Sequence, residues 1–261
     1  MLNIVIPMAG RGSRFANVGY TLPKPLIPVH GKPMIEVVVN NLRPKQEHRF
    51  IFICLAEHIE KYSLCEKLNK IAPNCAVVPV SQVTEGAACT VLLAEDYINN
   101  QDALMIANSD QYVNIGINDY LERQGKNDGL IMTMTADDKK WSFIRYDANG
   151  FVTEVREKEV ISSEATVGIY NFAHGADFVN GAKEMIAKNM RVNGEFYVAP
   201  VYNINIEHGA KIVYCNIGSV GNGMYGLGTP EDLELFCKTA PQMSEAPPHD
   251  HKNNKRASED C

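Results

Sequence analysis

One tryptophan stands among the 261 residues, no C-x-x-C pair occurs among seven cysteines, and no histidines fall at an H-x-x-x-H spacing. Each scarcity excludes a class. Cysteines scattered at 54, 65, 75, 89, 215, 237 and 261 suggest neither a disulfide framework nor a zinc knuckle, so reduced thiols are expected. No run of eighteen uncharged apolar residues is present, so no membrane span is expected. The apolar opening Met1–Ala9 has no basic region before it and reads as a buried first strand in a cytoplasmic protein. Positive charge is also short, with 25 Lys+Arg against 31 Asp+Glu and a net charge of −6. Nucleic acid and anionic membrane are thereby poor partners, and any phosphate recognition must be local. No Ser/His/Asp or Cys/His catalytic pattern has a recognisable context.

What is present is 45% hydrophobic residues, ample for a sizeable core. Strand-like runs near 2–7, 49–54, 75–80 and 103–107 alternate with helical patterns near 33–43, 56–70 and 86–98, which predicts βαβ units. Phe50-Ile51-Phe52-Ile53 and Leu104-Met105-Ile106-Ala107 lack polar alternation, as central parallel strands do. Beyond residue 129 the pattern changes to paired runs (129–135, 142–146, 151–156, 166–172), with Asp147-Ala148-Asn149-Gly150 as a hairpin turn. A helix over 176–189, an irregular helical segment after Glu195, a strand at 211–215 and a helix from Thr229-Pro230 complete the reading. Residues 1–239 are expected to form one domain. The Pro-, His- and charge-rich stretch 240–261 reads as a disordered tail.

Three local features carry chemistry. The first strand runs into Met8-Ala9-Gly10-Arg11-Gly12-Ser13-Arg14, where two glycines permit a tight turn whose N–H groups face phosphate oxygens; an ordinary strand-to-helix turn explains the same residues. Lys24 lies between two prolines, which fix its backbone and reduce the entropy lost on aiming its ammonium. Asp110, in Asn108-Ser109-Asp110-Gln111, ends the fourth strand at the same carboxyl edge, where open α/β sheets bind ligands, and is a hard oxygen donor suited to Mg²⁺. A turn or helix-cap aspartate is the plain alternative. Neither a P-loop nor a full dinucleotide fingerprint is present.

Ile6-Pro7-Met8-Ala9-Gly10-Arg11-Gly12-Ser13-Arg14-Phe15, Pro23-Lys24-Pro25-Leu26 and Gly31-Lys32-Pro33-Met34-Ile35 together resemble the signature of sugar-1-phosphate nucleotidyltransferases. The likeness continues in order through Glu85-Gly86-Ala87-Ala88, Asn108-Ser109-Asp110, Glu157-Lys158, Gly168-Ile169-Tyr170, Glu195-Phe196-Tyr197 and Gly228-Thr229-Pro230-Glu231-Asp232. It implies an α/β, Rossmann-like (GT-A-like) fold with a mixed, mostly parallel sheet. It also implies an NTP and Mg²⁺ as ligands, with a phosphorylated small molecule attacking the α-phosphorus and pyrophosphate leaving. On matching positions, Met8, Ala9, Gly10, Arg11, Gly12 and Ser13 would hold the nucleotide, and Arg14 would neutralise the leaving pyrophosphate. Lys24 would bridge the two phosphates and Asp110 would hold the metal. Gln82, Glu85 and Gly86 are the nearest matches to the base-binding segment, although Thr84 and Glu85 also read as a helix-capping pair. Trp141, Ser142, Glu157, Lys158 and Glu195 match acceptor-side positions. A homo-oligomer is left open.

Three departures bear on the substrate. Gly226 stands where many relatives have a second metal-binding aspartate. Ser142 replaces a pocket glycine, adding bulk where a sugar ring would lie, and Met224-Tyr225 replaces a more usual tryptophan. The pattern resembles capsule- and surface-polysaccharide nucleotidyltransferases, including cytidylyltransferases for non-sugar phosphates, so CTP or UTP and both acceptor classes are expected. Two other readings stand beside it. One is a nucleotide-binding regulator that lost metal chemistry with the aspartate, against which Arg14, Lys24 and Asp110 are all retained. The other is a related glycosyltransferase, which would call for a D-x-D in place of Asn108-Ser109-Asp110.

Overall fold

The computed structural model describes residues 1–239; the expectation of a disordered tail at 240–261 lies outside them. The first half comprises β1 (Leu2–Pro7), α1 (Ser13–Ala16), the 3-10 turn Lys24–Leu26, a small hairpin of β2 (Pro28–Val29) and β3 (Lys32–Pro33), and α2 (Met34–Leu42). Then follow β4 (His48–Leu55), α3 (Ala56–Tyr62), α4 (Leu64–Ile71), β5 (Ala76–Val80), α5 (Ala87–Leu92), α6 (Glu95–Ile98) and β6 (Ala103–Ala107). The second half adds β7 (Gln111–Val113), α7 (Ile117–Glu122), β8 (Gly129–Thr135), β9 (Ser142–Tyr146), β10 (Val152–Glu157) and β11 (Glu164–Phe172). It ends with α8 (Gly175–Ala187), α9 (Val201–Glu207), β12 (Ile212–Val220), β13 (Gly223–Gly226) and α10 (Pro230–Thr239).

One sheet in the order β5-β4-β1-β6-β11-β8-β12-β13-β7 runs through both halves, with the β9–β10 hairpin attached to β11. Its β5-β4-β1-β6 part is parallel, and β11 enters antiparallel between β6 and β8. The reversal brings Gly168, midway along β11, beside Asn108, just past the end of β6. The period of two in each strand divides the core between the faces. Ile4, Ile6, Phe50, Phe52 and Met105 lie on one side with α2 and α4, and Val5, Ile51, Ile53, Leu104 and Ile106 on the other with α5, α8 and α9. With helices on both faces, the strands need no polar alternation, and β1 and β4 have almost none.

Several boundaries differ from the sequence reading. The helix expected over 56–70 is two, broken at Ser63, whose φ of 50° is left-handed. No residue of α3 is buried, whereas α4 buries Leu64 and Leu68, so the break turns the second helix onto the sheet. The pattern over 86–98 likewise splits into α5 and α6. The last long strand reaches Val220 rather than 215, and carries a register shift between Asn216 and Ser219.

Among the described residues, the buried side-chain polar atoms without a hydrogen-bond partner are Asn3 Nδ2 and Gln111 Oε1; others are paired. Tyr120, fully buried, donates its hydroxyl to Asn171 Oδ1 at 2.9 Å, tying α7 to β11 across the sheet. Removing it strands a buried carbonyl oxygen. Tyr120→Phe should therefore lower unfolding stability by about 1–3 kcal/mol, read as a shifted urea midpoint; an unchanged midpoint contradicts this pairing.

Candidate functional site

Met8 extends the parallel ladder beyond β1 by donating its N–H to the Ile53 carbonyl at 2.9 Å, after which the chain leaves the sheet. Met8 and Ala9 are buried and hold the start of the loop, while Gly10, Arg11, Ser13 and Arg14 face solvent. The N–H groups of Gly10, Arg11 and Gly12 make no hydrogen bond among the described residues. Gly12 has a φ of 63°, a conformation that glycine adopts without cost, and it starts the short α1, which buried Phe15 anchors. A Cβ at Gly12 would come within 3.2 Å of Lys24 Cβ. The glycine loop thus rests directly on the Pro-Lys-Pro turn.

Lys24 opens the 3-10 turn with Pro23 as its cap, and its Nζ meets Asp110 Oδ2 at 2.9 Å. Both side chains are about a quarter exposed, 23% and 25%. Sequence reasoning placed Asp110 on the edge of the glycine loop and gave Lys24 to the phosphates; the structure joins the two. Asp110 sits between β6 and β7, where the Leu227 N–H donates to its backbone carbonyl at 2.8 Å. Gly228 leaves room for the carboxylate, since a Cβ there would collide with Oδ2. Arg11 and Arg14 form no ion pair among the described residues. Free cations, unbonded N–H groups and a neutralised lysine–carboxylate pair thus line the carboxyl ends of β1 and β6.

The segment after β5 enters from the neighbouring side. Gly86, at φ 133°, caps α5 so close to the Phe196 backbone that any side chain would collide with it. Phe196 in turn donates its N–H to the Glu85 carbonyl at 2.9 Å and accepts from Ala88 at 3.0 Å. Arg191 pairs with Glu85 at 2.5 Å and lies over the Phe196 ring. Gln82 is exposed and makes no side-chain hydrogen bond among the described residues. Thr84 does not cap the helix: its hydroxyl donates to the Gly86 carbonyl at 2.9 Å, and Gly86 takes the cap position.

On the opposite side, Ser142 and Glu157 face each other across the β9–β10 pair, and the serine hydroxyl donates to the glutamate carboxylate. Burial pushes the Glu157 carboxyl above its ordinary range, with the Ser142 hydrogen bond and Lys158 opposing and Glu195 adding to the rise. Lys158, in a left-handed conformation at φ 57°, donates from Nζ to the Tyr197 hydroxyl at 2.6 Å and lies over its ring. That bond raises the ammonium's pKa against modest desolvation. Glu195 is exposed and close enough for its charge to reach Glu157, Lys158 and Tyr197. Trp141 is half-buried against the core with Lys140 over its ring, and its carbonyl accepts the Lys158 N–H at 3.0 Å.

Residues 195–197 therefore clasp both sides, Phe196 toward the segment around Gly86 and Tyr197 toward Lys158. Sequence reasoning missed Tyr197 and Arg191 as polar partners, although the tyrosine lies within a quoted motif. It also missed Gln111, which is only 8% exposed and whose Oε1 has no hydrogen-bond partner among the described residues. Its position directly after Asp110 and its buried amide were the available signals. Among the described residues, no group of three or more His, Cys, Asp or Glu side chains is arranged to hold a metal, so a metal here would draw on fewer protein ligands.

Comparison with known proteins agrees with the fold. A nucleoside-diphosphate-sugar pyrophosphorylase from Vibrio cholerae superposes with a TM-score of 0.79 at 28% identity, covering 90% of this chain and 99% of that one. The bifunctional protein GlmU of Methanococcus aeolicus is 25% identical over 176 residues, 66% of this chain but only 40% of that protein. This chain thus matches less than half of that relative's length. A 2-aminoethylphosphonate cytidylyltransferase from Lancefieldella rimae is 55% identical over 40 residues, 15% of this chain and 16% of that protein. The sequence profile of the nucleotidyl transferase family matches residues 4–195, and the chain belongs to that family.

Proposed function

We propose that residues 1–239 form one nucleotidyltransferase domain that couples CTP or UTP to a phosphorylated small molecule such as a sugar-1-phosphate. The observation that carries this reading is the Lys24–Asp110 pair at 2.9 Å beneath a loop with unbonded N–H groups. Gly10, Arg11, Gly12 and Ser13, seated on Met8 and Ala9, hold the triphosphate. Gln82, Glu85 and Gly86 face the base. Trp141, Ser142, Glu157, Lys158 and Glu195 hold the acceptor. An acceptor phosphate oxygen attacks the α-phosphorus, and the bond to the β-phosphate oxygen breaks, with Arg14 stabilising the departing pyrophosphate. No covalent enzyme intermediate forms, so catalysis is positioning and charge stabilisation.

Lys24 plays two parts in this scheme. Without ligand its ammonium neutralises Asp110; with phosphates present it bridges acceptor and α-phosphate, which lowers repulsion between two anions that must approach. Asp110 is then released to a cation. Its carboxylate fits Mg²⁺, since it already holds one cation, is partly exposed, and supplies the hard oxygen that the ion takes alongside substrate phosphates. Bound there, Mg²⁺ would supply Lewis-acid charge neutralisation.

A second acceptor class, a non-sugar phosphate activated with CTP for capsule or surface-polysaccharide modification in the cytoplasm, has specific support. Ser142 is buried and its hydroxyl is committed to Glu157, and the short Lancefieldella rimae match is to a cytidylyltransferase by name. No helix among the described residues is long and apolar enough to cross a membrane.

Pyrophosphate release with Mg²⁺ from CTP, UTP, dTTP, GTP and ATP, against sugar-1-phosphates and non-sugar phosphates, tests the reading and separates the acceptor classes. Silence across the panel with nucleotide binding intact would favour a nucleotide-binding regulator. Lys24→Ala and Asp110→Ala should each lower turnover by about 10²–10³-fold with unchanged circular dichroism; near-wild-type turnover in both would refute the site. Glu157 supplies a pH signature. Its folded pKa is raised, so its contribution to stability is present at low pH and is lost as pH climbs through the folded value. Glu157→Gln, which cannot ionise, should melt above the wild type at neutral pH and lose that advantage in acid, as thermal melts across pH would show.

A further inference from the structure

Gly226 and Gly228 bracket Leu227, and neither has a positive φ. Backbone conformation does not call for glycine at either position; clearance does. A Cβ on Gly228 would collide with Asp110 Oδ2, and one on Gly226 would come within 3.2 Å of both Cγ and Oδ2 of Asp232. A three-residue segment thus makes room for two carboxylates from distant parts of the chain, one after β6 and one in the first turn of α10. The Leu227 N–H to the Asp110 carbonyl, at 2.8 Å, pins the segment beside the first. The Asp232 N–H to Thr229 Oγ1, at 3.1 Å, fixes the turn that carries the second.

The two carboxylates are unequally satisfied. Asp110 holds the Lys24 ammonium, whereas the Asp232 carboxylate has no hydrogen bond or ion pair among the described residues. A third oxygen lacks a partner as well. Gln111, directly after Asp110 and the cross-strand partner of Gly226, has a buried Oε1 that is unpaired among the described residues and lies beside Gly168 and Asn108. Lys24 can neutralise one carboxylate but not two, and it must leave when it turns to phosphate.

We propose that Asp232 supplies the second carboxylate of the metal site, reaching over Gly226 where the chain has no side chain of its own. The inference rests on the nucleotidyltransferase reading. It answers the departure noted at Gly226: the carboxylate arrives from the first turn of α10, six residues later. Mg²⁺ is commonly held by one or two carboxylates together with substrate phosphates, so two aspartates suffice without a larger protein cage. The competing role for Asp232 is a charge favouring the N-terminus of α10, which has no bearing on metal affinity.

Mn²⁺ binding to the full chain, followed by the electron paramagnetic resonance of free Mn²⁺ with CTP or UTP present, tests the assignment without turnover. Asp232→Asn should weaken Mn²⁺ binding by about tenfold or more. Adding Gly226→Asp to Asp232→Ala, whose shortened side chain vacates the space beside Gly226, should restore it, since the new carboxylate starts from the adjacent position. Equal affinity in wild type and Asp232→Asn overturns the proposal, as does a loss that Gly226→Asp fails to restore, which would leave Asp232 a helix-terminus residue. Thermal melts of each variant separate lost binding from lost fold. Pyrophosphate release by the wild type is scored separately, so an active enzyme with unaltered Mn²⁺ affinity in Asp232→Asn sinks this inference alone. A wild type that neither binds Mn²⁺ nor releases pyrophosphate sinks both readings.

Discussion

The contact between the Lys24 ammonium and the Asp110 carboxylate organises the site, and much of the first half of the chain is arranged to make it. Asp110 reaches its place because β6 lies next to β1, which requires two βα units to pass over the sheet between them. Lys24 reaches its place because a 3-10 turn between prolines projects it from a loop that would otherwise be floppy. Gly12 and Gly228 then clear space on either side of the pair. A partly exposed ion pair contributes little to stability, so this investment in placement is better explained by what the pair can release. On the proposed function, each partner is preorganised for a ligand of opposite sign, and the pair neutralises itself until that ligand arrives.

The second organising contact is the clasp at 195–197, where the reasoning is about rigidity rather than charge. Phe196 lies so close to Gly86 that its backbone bonds residues on either side of that glycine, donating to the Glu85 carbonyl and accepting from the Ala88 N–H. One residue later, Tyr197 holds Lys158. A ligand on one side of the site therefore meets walls fixed by the same short segment as those on the other. For the proposed reaction, which depends on bringing two phosphates into line, such shared walls would have energetic value, because misplacement by an ångström is costly.

How much of this was legible in the sequence depended on whether the cause was local. β1 and β4 declared themselves through unbroken apolar runs. The hairpin at Asp147–Gly150 was readable because Asp147 caps its own turn and Gly150 takes a left-handed φ. Thr229-Pro230 announced α10 through capping chemistry that the structure reproduces. Breaks decided by tertiary packing were not readable. Ser63 looks like any mid-helix serine until Leu64 and Leu68 are seen to need a different direction, and the pairing of Thr84 with its own helix start was misread because Gly86 takes the cap. The neighbours of Asp110 were hidden for the same reason: Gln111 and Asp232 gain meaning only once β13 has folded back against β7.

The glycines show where motif reading and structure diverge. A sequence motif marks a glycine but not why it is needed. Gly12 is needed for its dihedral, Gly86 for its dihedral and for close approach, and Gly226 and Gly228 for clearance alone. Read as a motif, Gly226 is a loss, a position that cannot ligate through a side chain. Read in three dimensions, the same absence gives room to a carboxylate from α10, which the proposal places beside Asp110. A substitution that removes a functional group at one position can thus preserve the chemistry of a site, provided the space it vacates is reachable from another element; whether it is reachable is a property of the fold that no single position records.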